Sequence, residues 1–456
     1  MTRLLVRNAV LLTCDPARPD PFRGWFTVAD DGRLAAVEPG DPPAGTTAEE
    51  VLDAGGALVG PGFVSAHSHL FTSGFRGIAM DSSLYGWLEV MLGYTAAADA
   101  EDVYWMTRHG AQDFLRNGVT TAYDFTDTGL TFESESAGVS RYGATLPETA
   151  YQHAQLRAKV DAGLRHVHSV MLAQGDVPQA DTLAQLDEVV AAAATADPDL
   201  HLGLALSGTV QWADSRDAAA LEVTAMRRHG LLNQPHFLET PHEVELQRSK
   251  FDWYADAGAL GPDLVFGHFI QTTDEILTRA AAAGCGMSWQ PMSNGRLASG
   301  VAAVPRMREL GMRVGMGLDD QSCTDVSDPF SNMRTGLALL RATHRDPAAL
   351  PVRDVLEMHT RGSAEVLGID DRVGSLRVGR YADFLVVDPR DPDTGPVWDA
   401  IGTYVLACSL RNLQQVRVGG RLVAAGSRLT DPAAGEVSGQ LHERMARIRR
   451  AVDGPR

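Results

Sequence analysis

The spacing of hydrophobic and polar positions changes twice along the chain. Residues 4–13, 25–30 and 34–38 are short apolar runs, and Asp30-Asp31-Gly32 between the last two is a hairpin-turn signal. They predict a small β layer. After Gly55-Gly56 a further short strand leads through Pro61-Gly62 into Phe63-Val64-Ser65-Ala66 and then His67-Ser68-His69. From there strand-length apolar runs alternate with helix-length amphipathic stretches, the first helix carrying Val103, Met106, Phe114 and Leu115. Strands are predicted at 118–125, 166–172, 201–206, 236–239, 263–270, 284–290 and 313–319, and helices at 181–195, 216–229, 272–283 and 301–310. With the run that ends in His67 this makes eight apolar strands, the pattern of parallel βα units. A closed (β/α)8 TIM barrel of the α/β class fits both count and length. A helix near 352–367 ends the region, and short strands return at 382–388, 415–418 and 421–424. These match the N-terminal strands in length and turn chemistry, so both termini are expected to build one small composite β-sandwich. The expected organisation is 1–60 and 369–430 as the β-sandwich, 61–368 as the catalytic barrel and 431–456 as a charged helical tail on the surface.

In such a barrel the chemistry gathers at the C-terminal ends of the strands. Four strands end in groups able to hold a metal or move a proton. The first ends in His67 and His69, alternate residues that face one side together, and imidazole binds zinc at about 2.0–2.1 Å. The fifth carries His236, with Glu239 at its end. The sixth carries His268 in Phe266-Gly267-His268, and the eighth ends in Gly317-Leu318-Asp319-Asp320. Each has an ordinary structural reading alone, as a core histidine or a helix-capping aspartate. Their shared position at strand ends is what selects them. Pro235 removes a ladder donor beside His236 and is expected to disturb the fifth strand.

Composition narrows the function. The chain has 456 residues, 44% of them apolar, enough for a large core. A net charge of −18 argues against a nucleic acid or an anionic membrane as partner. Cys14, Cys285, Cys323 and Cys408 lie far apart and form no Cys-x-x-Cys pair, which points to a reducing compartment, the cytoplasm. No segment reaches the roughly 18 apolar residues of a membrane span, and residues 1–7 lack the apolar run of a signal peptide. Lysine occurs only at Lys159 and Lys250. The His-x-Glu with Pro-Cys-x-x-Cys zinc signature is absent.

PGFVSAHSH (61–69), RGIAMD (76–81), HFLET (236–240), FGH (266–268), MSNGRLASG (292–300), VGMGLDD (314–320) and VGSLRVGRYADFLVVD (373–388) occur in this order. In them the chain resembles the amidohydrolase superfamily over most of residues 4–425. It looks most like the branch of nucleoside and triazine aminohydrolases, chlorohydrolases and cytosine-deaminase-like enzymes. The resemblance implies one divalent metal, zinc with ferrous iron as the alternative, held by His67, His69, His236 and Asp319. It implies Glu239 as proton shuttle and His268 as the residue that orients the attacking hydroxide or polarises the substrate, so that Glu239, His268 and Asp319 form the catalytic set. Two-metal relatives resemble one another in a bridging strand-end lysine; neither Lys159 nor Lys250 suits that role, which favours one metal. For substrate contacts, Trp87 and Trp289 are candidates to stack on a flat ring, and Ser207 and His168 to line the site. Asp320, with Asp325 and Asp328, is a candidate to meet a cationic substrate. His166-Val167-His168 repeats the His-x-His spacing on the third strand and reads as structural or substrate-lining. Residues 128–147 read as a lid over the barrel mouth or as a surface loop.

The expected function is a zinc-dependent aminohydrolase that releases ammonia or an amine from an aminated N-heterocycle of triazine, pterin, purine or pyrimidine type. Alternatives are hydrolysis of an acyclic formimino or guanidino C–N bond, hydrolytic dehalogenation of a chlorinated triazine, and a non-enzymatic scaffold. Ser207 stands where nucleoside-type relatives carry a histidine, and 94–97 (YTAA) supplies no acid after Trp87 to grip a ribose. Both turn the reading away from an adenosine-like substrate. Asp320 replaces the small residue usual after the ligand aspartate. The partners expected are a small-molecule substrate and, by family analogy, further copies of the chain in a dimer or tetramer.

Overall fold

The computed structural model describes residues 2–454 except 128, 130, 131, 137, 138, 143–145, 174, 391 and 393. Eight parallel strands form one sheet in sequence order: Phe63–Ser65, Val119–Asp124, Arg165–Val170, His201–Gly208, Leu232–Phe237, Val265–His268, Gly286–Trp289 and Arg313–Met316. Beyond the eighth strand, Asp319–Asp320 pairs in parallel with Ser68–His69. The Asp319 amide donates to the His67 carbonyl over 2.9 Å. This rim pairing joins the last strand to the first, and the fold is the expected TIM barrel with a separate sheet domain. Helices such as Gln179–Ala193, Asp217–His229 and Asp274–Ala282 alternate with the strands. The last of these is capped by the Thr273 hydroxyl, which accepts from the Ile276 amide.

The fifth strand starts four residues earlier than its apolar pattern suggests, at Leu232 rather than 236. Pro235 lies inside it, paired with Gly208. The loss of one donor is tolerated because neighbouring bonds hold the strand: the Asn233 amide donates to Asp263 over 2.8 Å, and the Phe237 carbonyl accepts from Phe269 over 3.0 Å. The helix expected near 352–367 is interrupted by a π turn, Met358–Gly362. That turn aims His359 at the Val64 carbonyl, 3.2 Å away.

The composite layer is one nine-stranded sheet. Leu58–Pro61 pairs with Thr2–Leu11 on one side and with Phe384–Val387 on the other, so the two ends of the chain interleave. Leu4, Val6, Phe26, Val28, Val59, Phe384 and Val386 share its core, and Phe26 meets Phe384 edge-on with ring centroids 5.0 Å apart.

Packing divides the chain into two compact units: Met1–Ala66 with Gln112–Ala122 and Ser327–Ala434, and His67–Ala111 with Tyr123–Val326 and Gly435–Arg456. Phe63 shows why the start of the first barrel strand belongs to the former. Its ring packs against Phe330, His359 and Tyr404. In the latter unit the charged tail is more than a surface helix. Ala434–Asp453 buries Val437, Leu441 and Ile448 on one face, and Arg444 and Arg447 both donate to the buried Asp102. Burial pushes the Asp102 carboxyl up, but the two guanidinium groups hold it below its ordinary value. Within 128–147 the described backbone forms an antiparallel hairpin, Phe132–Ser136 with Val139–Tyr142. The rest of that expected lid (128, 130, 131, 137, 138 and 143–145) lies outside the described residues.

Candidate active site

Side chains from four strand ends converge at the barrel rim. The His69 Nε2 lies 3.3 Å from His67 Nε2 and 3.0 Å from His236 Nε2. Asp319 Oδ1 lies 3.4 Å from His67 Nε2 and 3.6 Å from His69 Nε2. Two donors about 2.0–2.1 Å from a shared ion stand about 3.3 Å apart at a tetrahedral angle. The spacing of these four groups therefore fits one divalent cation. Ligand atoms of His67, His236, His268 and Asp319 lie within 4.8 Å of one another, as do those of His69, Asp319 and Asp320. His268 Nε2 stands 3.5 Å from Glu239 Oε2 and 3.9 Å from Asp319 Oδ2. All seven rim residues named here fall in one compact unit.

The local backbone explains the convergence. Leu238, His268, Phe269 and Asp319 have positive φ, a conformation that costs a non-glycine residue about 1–3 kcal/mol. These residues sit at strand ends, where the chain turns its side chains onto the cluster. Two glycines make room for His67. A Cβ on Gly317 would stand 2.6 Å from the His67 Cβ, and one on Gly267 would stand 2.9 Å from its Cε1. The glycines one residue before His268 and two before Asp319 thus have a steric reason.

The cluster is largely buried and electrostatically tense. Burial pushes His69 and His236 well below the ordinary histidine range, and His268 down to about 3. They are therefore neutral at pH 7, the form that binds metal. Burial also pushes Glu239 well above the carboxylate range, with the Asp319 charge adding to the effect. Burial works against ionised Asp319 too, but His268, His67 and His69 outweigh it and hold that carboxyl well down. Burial, then Asp319, pushes Asp320 well up. His268 Nε2, Glu239 Oε2 and Asp320 Oδ1 are buried without a hydrogen-bond partner. Buried polar atoms left so in a folded protein await a ligand, an ion or water.

An outer layer fixes the cluster, and most of it was not singled out from the sequence. The Gln234 Oε1 is 2.6 Å from His67 Nδ1, Asn294 Nδ2 is 2.8 Å from His268 Nδ1, and the Ser293 hydroxyl donates to Asp319. Ser293 and Asn294 lie in the quoted MSNGRLASG motif, a signal that pointed to them without a role. Phe125 stacks on His69 with centroids 4.7 Å apart and 12° between planes. The Trp212 ring lies 5.5 Å from His236, and Tyr85 bonds to the Trp212 side chain. Lys250 sits behind Trp212 and donates to the carbonyls on either side of it, Gln211 and Ala213, over 2.7 and 2.8 Å.

The expected substrate contacts fare differently. Trp87 is packed with Phe71, Phe75, Leu84 and Met91, its Nε1 donating to the Ser322 carbonyl. Trp289 is fully buried in the seventh strand. His168 is fully buried with both ring nitrogens engaged, by Lys159 and Gln152. These three serve packing and a polar network. The rings that stand against the rim histidines are instead Phe125 and Trp212. Ser207 is buried near the end of the fourth strand, and Asp320 belongs to the cluster. Asp325 accepts from the Gly77 amide and pairs with Arg296, and Asp328 caps a helix. Lys159, paired with Asp124, stays within that network.

Comparisons with known proteins agree with this architecture. The model of the Amidohydrolase family matches residues 58–423. The chain is 32% identical to 5-methylthioadenosine/S-adenosylhomocysteine deaminase of Syntrophobacter fumaroxidans, over 98% of each chain. In fold it is similar to a zinc-bound adenosine deaminase of Xanthomonas campestris, with TM-score 0.83, 22% identity and coverage of 98% and 99% of the two chains. It is likewise similar to zinc-complexed atrazine chlorohydrolase of Arthrobacter aurescens, with TM-score 0.82, 20% identity and coverage of 97% and 100%. From its strand-end histidines to its full-length likeness, the chain belongs to the amidohydrolase family.

Proposed function

We propose that the protein is a zinc-dependent aminohydrolase that replaces an amino group on an electron-poor N-heterocycle by hydroxyl and releases ammonia. The observation that carries this reading is the convergence of His67, His69, His236 and Asp319 beside a buried Glu239 whose Oε2 makes no hydrogen bond. His67, His69, His236 and Asp319 would hold the ion. When bound, such an ion lowers the pKa of water from 15.7 to about 7. Glu239, pushed up by burial and by the Asp319 charge, takes a proton from the attacking water and delivers it to the departing amine. Neutral His268, fixed by Asn294 on one nitrogen, presents Nε2 to the substrate and stabilises charge on the adduct. Trp212 offers a flat face for the ring.

The likeness to a deaminase of 5-methylthioadenosine and S-adenosylhomocysteine supports an aminopurine as the first substrate to test. It weighs against the sequence arguments from Ser207 and from the missing acid at 94–97, both of which turned the reading away from an adenosine-like substrate. Atrazine hydrolysis by a fold neighbour keeps aminotriazines in the panel. The four cysteines are free and buried, which supports a reducing compartment such as the cytoplasm. No described helix is long and apolar enough to cross a membrane.

Ammonia release from these compounds by the zinc-loaded protein is the direct test. Glu239→Gln is expected to lower turnover by about 10²–10⁴-fold while zinc content stays at one per chain. Undiminished turnover in that variant would rule the mechanism out.

A further inference from the structure

We propose that Lys250 is a positioning residue: by gripping the loop 209–213 its amine sets the Trp212 ring face and the Glu239 carboxyl relative to each other. This rests on the aminohydrolase reading above and deepens it, since both residues act in that reaction.

Lys250 sits at the junction of two short helices, Val244–Ser249 and Phe251–Ala257, and is fully buried. Burial pushes its amine down to about 8, offset in part by the Asp214 charge. At pH 7 the amine therefore still carries its proton, and a buried cation is costly to hold. What it grips is backbone. The carbonyls of Gln211 and Ala213 accept from Nζ over 2.7 and 2.8 Å. These are the two chain neighbours of Trp212.

The rest of the loop is anchored as well. The Trp212 amide donates to the Thr209 carbonyl over 2.9 Å, and Glu222 accepts from the Thr209 amide over 2.7 Å. Trp212 thus has a fixed backbone, and its half-buried ring stands 5.5 Å from the His236 ring. A loop residue serves as a flat platform only when it is held in this way.

The same loop reaches the proton shuttle. Gln211 Oε1 accepts from the Leu238 amide over 2.9 Å. Leu238 immediately precedes Glu239 and has φ +53, a conformation that persists only where neighbours hold it. The Leu238 carbonyl is held in turn by the amides of Ile270 and Gln271, over 3.0 and 2.9 Å. One path therefore runs from the Lys250 amine through Gln211 to the residue that aims Glu239. Another runs from the same amine to Trp212.

The test is steady-state kinetics of the zinc-loaded full chain with adenosine as the aminopurine probe. Lys250→Met is expected to raise KM about two- to tenfold and to lower kcat about ten- to a hundredfold, with one zinc per chain retained. Gln211→Met cuts only the path to Leu238, so kcat should fall while KM stays within about twofold of the parent. Adding Trp212→Leu to Lys250→Met should raise KM no further, because both changes act on one ring. Parent-like kcat and KM in Lys250→Met would overturn the proposal. So would KM effects that multiply in the double variant, or a loss of turnover matched by an equal loss of zinc, which would leave Lys250 to the fold alone. Should Lys250→Met fail to fold, Gln211→Met decides, and a parent-like kcat there overturns the proposal. Hydrogen exchange gives a readout without turnover. The Trp212 and Leu238 amides should exchange at least about tenfold faster in Lys250→Met, while the strand Val265–His268 keeps its parent rates. If the parent releases no ammonia from the probe, the deaminase reading loses its first substrate, and these exchange rates decide separately whether Lys250 holds the loop.

Discussion

His67-Ser68-His69 and His166-Val167-His168 share one spacing, and every one of their four histidines but the half-buried His69 is fully buried. In the first pair Nε2 atoms converge with His236 and Asp319 at the rim. In the second every ring nitrogen faces a protein partner: Leu164 and His201 for His166, Lys159 and Gln152 for His168. Spacing decides which face a side chain shares. Position along the strand decides the rest. His67 and His69 lie past the end of Phe63–Ser65, whereas His166 and His168 lie inside Arg165–Val170. Inside the strand, neighbouring elements supply partners; beyond it, other strand ends supply only further ligands. The two clusters are nevertheless linked. Lys159 pairs with Asp124 over 2.5 Å, and Asp124 Oδ1 accepts from the amide of Leu70, the residue after His69. The third-strand network thus braces the loop that carries His69.

The largest expected contrast is in metal content. His69→Asn should abolish stoichiometric zinc and turnover together, while His168→Asn should keep one zinc per chain; elemental analysis of both variants decides, and loss of zinc from the second would erase the distinction. Next is stability. Lys159→Met leaves Asp124 buried without its cation, and denaturant unfolding should register a loss of about 3–5 kcal/mol, with zinc still bound under native conditions. A third test uses acid. Burial pushes His268 down to about 3 and His359 to about 4, against about 6.5 in an unfolded chain. Below about pH 6.5 the unfolded chain takes up protons that the folded one refuses. Stability of metal-free protein should therefore fall as pH drops from about 6.5 to 4, by roughly 1 kcal/mol per pH unit for each such histidine. The buried third-strand histidines, also pushed well down, should steepen the fall, and His168→Asn should flatten it. Equal slopes in parent and variant would count against a neutral buried His168. The smallest effect concerns the ring platform: Trp212→Leu should raise KM for a flat heterocycle about two- to tenfold with kcat little changed.

The barrel and the seven rim residues were legible because they obey local rules: strand-length apolar runs, and chemistry-bearing residues at their ends. Residues that act from a distance were harder to see. Trp212 lies in a loop with no periodic pattern, and its place depends on Lys250, 38 positions later in the chain. Gln234 looked like a neighbour of an awkward proline, yet it holds the tautomer-setting nitrogen of His67. Trp87 and Trp289 drew attention for their size, and size is what a core uses. The tail helix was read from its charges, and the apolar face of Val437, Leu441 and Ile448 that seats it went unused.

Both lysines of the chain are wholly buried, one bracing the His69 loop and the other the Trp212 loop. The folded surface therefore offers no side-chain amine. Acylating reagents, amine cross-linkers and lysine-modifying enzymes have no lysine target there until one of these two regions opens. The rate at which either residue becomes labelled is then a clock for breathing of the catalytic rim.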